Sequence, residues 1–174
     1  IIPSGFLVCE VLPFGKPCGG LTLFENTGEG FKKHDIIKPG YYLFFHGAQF
    51  IDLTGDGIED LITVGERKGG PLGRTKDTAI TMWFKGIPEP PYFESKPRVL
   101  ANGLGALPTL IDLNNDGLLD IASAEYFYGD AASFAWLEQV APLSPENPNG
   151  LWQRHIIDDE VGPAIQLSFV DDLY

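Results

Sequence analysis

Two stretches of the chain, DLTGDGIED at residues 52–60 and DLNNDGLLD at 112–120, put side-chain oxygens at the first, third, fifth and ninth positions of a nine-residue loop. A hard divalent cation takes that arrangement. Calcium gathers roughly six to eight oxygens at relaxed geometry, from carboxylates, amides, hydroxyls, backbone carbonyls and water. The candidate ligands are Asp52, Thr54, Asp56 and Asp60 in the first loop and Asp112, Asn114, Asp116 and Asp120 in the second. The backbone carbonyls of Ile58 and Leu118 are expected to join them. Gly57 and Gly117 follow the third side-chain ligand, where the chain must turn sharply and glycine accepts positive φ without steric cost. An EF-hand would need a glutamate at the twelfth position, but Thr63 and Ser123 stand there, in apolar, strand-like sequence. A single loop of this kind also reads as an Asx-rich turn without metal. Its recurrence favours two calcium sites, which would bring the formal charge from -12 to about -8. Thr54 and Asn114 are neutral where an aspartate would add charge, a composition that points to modest affinity in a calcium-rich, extracellular or secreted setting.

The elements that must hold these loops recur with them. QFIDLTGDGIEDLITVGE at 49–66 aligns with TLIDLNNDGLLDIASAEY at 109–126, an offset of 60 residues, and a truncated third copy, LSFVDDLY, places Asp171 where Asp52 and Asp112 stand. ITMWFKG at 80–86, SFAWLEQ at 133–139 and LTLFEN at 21–26 form a third run of each unit. FKKHDII at 31–37, FESKPRVL at 93–100 and WQRHIID at 152–158 form a fourth. Each unit therefore reads as four short strands, and the second strand alternates as a half-buried strand would. An all-β fold follows, with a repeated four-stranded antiparallel unit of the kind that builds β-propeller blades.

About three blade-equivalents are expected: strands two to four of one blade in 1–40, full blades in 41–100 and 101–159, and the first strand of a further blade in 160–174. Opening on Ile1, the chain reads as a mature or trimmed product, with any secretion signal upstream. The complementary ends suggest that a longer chain, or another copy, supplies the missing strands, in the limit as a strand-complemented fibre.

Composition narrows the function classes. The 24 acidic residues against 12 basic ones repel phosphate backbones, so nucleic acid is a poor partner. No apolar run is long enough for a membrane-spanning helix. Neither a nucleophile motif nor a cofactor motif is present, which argues against an enzyme in this segment. His34 and His155 recur at one place in the fourth run and read as a packing or hydrogen-bonding position, whereas His46 lies just ahead of a first strand. Trp83, Trp136 and Trp152 read as core residues, with stacking on sugar rings as the alternative. Cys9 and Cys18 flank the turn-rich PFGKP and either remain free thiols or close a disulfide worth about 2.5–3 kcal/mol.

At FIDLTGDGIEDLITVG and LIDLNNDGLLDIASA the sequence resembles the FG-GAP/VCBS repeats of integrin alpha-chain propellers and of many secreted bacterial and fungal proteins. The resemblance implies a calcium-binding, usually extracellular propeller used for adhesion or for protein or carbohydrate recognition. It is sometimes an accessory to a secreted carbohydrate-active enzyme. VDDLY stops before any Asp-Gly step, so a third site does not carry over.

Overall fold

The computed structural model describes residues 2–4, 19–67, 69, 77–105, 107–126 and 134–160. The expected Cys9–Cys18 disulfide and the C-terminal strand with Asp171 lie outside the described residues. Among those residues the protein is all-β, with eleven strands in three antiparallel sheets. The first sheet holds β1 (Ile2–Ser4), β2 (Gly19–Asn26) and β3 (Phe31–Tyr41). The second is a meander of β4 (Phe44–Ile51), β5 (Asp60–Arg67), β6 (Thr78–Phe84) and β7 (Arg98–Asn102). The third repeats that order with β8 (Thr109–Ile111), β9 (Asp120–Ala124), β10 (Phe134–Ala141) and β11 (Leu151–Asp158). The described sheets form no closed ring.

Side-chain alternation explains how the sheets stack. Along β5, Leu61 faces the first sheet, in a core with Leu21, Ile36, Leu43, Phe45, Met82 and Phe84. Its neighbour Ile62, with Val64, faces the third sheet, in a core with Trp83, Leu104, Ile121, Ala135 and Leu137. Successive residues of a strand point to opposite sides, so a sheet with a neighbour on each side must be apolar in both registers. That corrects the half-buried reading of β5, which is buried from Asp60 through Glu66; β9 is likewise buried along its whole length. The polar members of these runs are matched locally. Thr63 Oγ1 donates to the carbonyls of Gly47 at 2.9 Å and His46 at 3.1 Å, where the ladder between β4 and β5 is irregular.

Two boundaries differ from expectation. His46 lies within β4 rather than ahead of it, because Phe44 and Phe45 are core residues that draw the strand back towards Leu43. The fourth strand of the second unit begins at Arg98 instead of Phe93. Pro97 has no N–H to give a ladder, and Phe93 instead makes an isolated bridge with Gly86.

Candidate metal loops

Each acidic loop is the connection of a hairpin whose last rung joins the residue before the loop to its final aspartate: Ile51 opposite Asp60, and Ile111 opposite Asp120. The ninth-position carboxylates are fully buried and tie the loop to the third strand of the sheet. Asp60 Oδ2 accepts from the N–H groups of Leu53 at 3.0 Å and Thr54 at 3.1 Å, and its Oδ1 accepts from Gly86 at 2.8 Å. Asp120 repeats the scheme, with Leu113 at 3.0 Å and Gln139 at 2.9 Å. Burial pushes both carboxyls above the ordinary aspartate range, against these backbone bonds. At Asp120 the charges of Asp116 and Asp112 push in the same direction.

The first-position aspartates organise the turn. Asp52 accepts from Asp56 N at 3.0 Å and Gly57 N at 2.8 Å, and Asp112 accepts from Asp116 N at 3.1 Å and Gly117 N at 3.0 Å. Asp56 and Asp116 accept in turn from Ile58 N at 3.0 Å and Leu118 N at 2.8 Å. This wrapping needs left-handed backbone at Gly55 and Gly57, and at Asn115 and Gly117 in the second loop (φ between 60° and 86°). Every candidate side-chain ligand therefore sits on one of two closely matched loops. Each aspartate oxygen that accepts a single backbone bond keeps a second lone pair for a cation, whereas Asp60 Oδ2 accepts two and keeps none. Among the described residues, no three carboxylate, imidazole or thiol groups are gathered tightly enough to hold an ion as they stand.

The flanking third strands bring in residues that the loop motif does not contain. Lys85 Nζ contacts Asp56 Oδ2 and lies 3.4 Å from Thr54 Oγ1, and this ammonium holds the Asp56 carboxyl below the usual carboxylate range. At the matching place beside the second loop stands Glu138, whose Oε1 accepts from Asn114 Nδ2 at 3.1 Å. The same amide nitrogen donates to Asp116 Oδ2 at 2.9 Å. The only sign of these two in the sequence is their shared position in the third run, directly after WF or WL. Gly86 has a steric role, since a Cβ there would lie 2.2 Å from the Glu59 carbonyl oxygen.

The histidines pair with acids. His34 Nε2 lies 2.8 Å from Glu25, His155 Nε2 lies 2.6 Å from Glu138, and His46 Nε2 lies 2.8 Å from the buried Glu66. Trp83 is only 2% exposed, whereas Trp136 is half-buried and stacks on His155, and Trp152 donates its indole N–H to Asn149 O at 2.8 Å. Among the described residues no helix is long and apolar enough to cross a membrane. Comparison of the chain with family models, curated proteins and solved structures returned no match.

Proposed function

We propose that this chain is a calcium-binding segment of a β-propeller, serving as an extracellular scaffold or recognition module for a protein or glycan ligand. The observation that carries the reading is the recurrence of one loop architecture at two hairpins, down to the backbone amides that each aspartate accepts. Two four-stranded meanders of identical order, stacked through a shared core, support blades as the unit of the fold.

Calcium at such a loop supplies positive charge and joins the turn to the end of the next strand. The chain's own residues prepare for it. Asp52 and Asp112 hold the turn open by taking its amide hydrogens, and Asp60 and Asp120 anchor it to the sheet. The first-, third-, fifth- and ninth-position oxygens, with the carbonyls of Ile58 and Leu118, would hold the ion. A rigid loop of this kind positions neighbouring surface for a partner, which is a scaffold's contribution.

The test is thermal unfolding in chelator and in calcium, with calorimetric titration beside it. An ion present at about 100 times its dissociation constant stabilises by about 2.7 kcal/mol. For a domain of this size that raises Tm by roughly 5–10 °C. Identical melting in chelator and calcium, with no heat of binding, would overturn the proposal.

A further inference from the structure

The two loops have nearly the same backbone scheme but face side chains of opposite charge, Lys85 and Glu138, which stand at one position of the repeat. Leu23 pairs with His34, Trp83 with Arg98 and Trp136 with His155, which sets the three third strands in common register. Two residues further along stand Glu25, Lys85 and Glu138. In the first and third sheets the glutamate pairs with the histidine across the ladder, at 2.8 and 2.6 Å. In the second sheet both partners are cationic and turn apart. Arg98 goes to Glu94 at 2.7 Å and over the Trp83 ring, while Lys85 reaches into the first acidic loop.

We propose that the ammonium of Lys85 is a built-in cation that stands in for the metal in loop 52–60, leaving loop 112–120, completed by Glu138, as the calcium-dependent site. The inference rests on the calcium reading above and assigns the two loops different roles within it.

The charge count favours this division. Asp52, Asp56 and Asp60 with Lys85 sum to -2, whereas Asp112, Asp116, Asp120 and Glu138 sum to -4. In the first loop a full positive charge already lies against Asp56 Oδ2 and near Thr54 Oγ1, so a divalent ion must displace an ion pair and then tolerate a cation beside it. In the second loop the corresponding space, between Asp116 and Glu138, is bridged only by the neutral amide of Asn114. A greater net negative charge among the oxygen ligands raises calcium affinity, and a fixed ammonium lowers it.

The experiment is calcium stoichiometry of the whole chain, by native mass spectrometry and calorimetric titration at about 1 mM free calcium. Each variant is first checked for an unchanged circular dichroism spectrum in chelator. One ion is expected on the unaltered protein, lost in Asp112→Ala and retained in Asp52→Ala. Lys85→Met should admit a second ion, and Glu138→Lys should abolish binding. Two ions on the unaltered protein, or a single ion that Asp52→Ala removes and Asp112→Ala does not, would overturn the assignment and leave the calcium reading standing. No ion on either the unaltered protein or Lys85→Met would remove both.

Discussion

Replacing Asp60 by alanine, measured in chelator so that no metal contributes, isolates what that carboxylate does for the fold. Its side chain is fully buried and accepts three backbone N–H groups at 2.8–3.1 Å. The Gly86 amide is buried against the Glu59 carbonyl and cannot be rehydrated, so it carries the full cost of an unsatisfied donor, about 1–3 kcal/mol. Leu53 and Thr54 are half-buried and recover part of their bonding from water, so each costs about 1 kcal/mol or less. Relief of the buried charge offsets some of this, since burial holds the Asp60 carboxyl above its ordinary range. The net destabilisation should be on the order of 3 kcal/mol. Urea unfolding at neutral pH reads it as a fall in midpoint at constant slope. Asp52→Ala, at an exposed position of the same loop, is the control and should cost about 1 kcal/mol or less. If Asp60→Ala cost no more than Asp52→Ala, the ninth position would not be a structural anchor.

Gly86→Ala would push a methyl group to within 2.2 Å of the Glu59 backbone oxygen. A loss of about 1–3 kcal/mol is expected by urea unfolding, and a loss below about 0.5 kcal/mol would mean that the backbone at Glu59 and Gly86 can move apart freely. Burial and the neighbouring Tyr42 push the Tyr41 hydroxyl up to about 12, from an ordinary 10.0. The folded state thus keeps a proton that the unfolded chain releases, so stability is undiminished below pH 10 and falls as pH rises towards 12. Ultraviolet titration of phenolate should show a late-titrating component that Tyr41→Phe removes, beside that of Tyr92, which its hydrogen bond to Glu25 also raises. A normal titration of all the tyrosines would contradict the packing of Tyr41 against Phe45.

Local pattern made much of the architecture legible. The four apolar runs of the unit at 101–159 fall on β8, β9, β10 and β11, because β-branched and aromatic residues bounded by Gly, Pro and Asn carry their signal within a few residues. The failures arose where a distant surface decided the outcome. Nothing near Ile62 reveals that a second sheet covers the other face of its strand, and the half-buried reading of β5 went wrong for that reason; β9 is likewise buried along its whole length. The early start of β4 depends on Phe44 and Phe45 finding core partners elsewhere, whereas the late start of β7 has a local cause, the adjacent Pro97 that withholds its rung.

The same division runs through the candidate sites. Sequence by itself determined the two oxygen-bearing loops and the turn glycines at 57 and 117, because ligand spacing and left-handed backbone are properties of nine consecutive residues. Tertiary structure alone decided what faces them. Lys85 meets Asp56 from 29 residues away, and Glu138 meets Asn114 from 24, through the register of one strand against another. A pairing shifted by one residue would turn each of these side chains to the opposite face, so the charge beside each loop is set by the sheet as a whole.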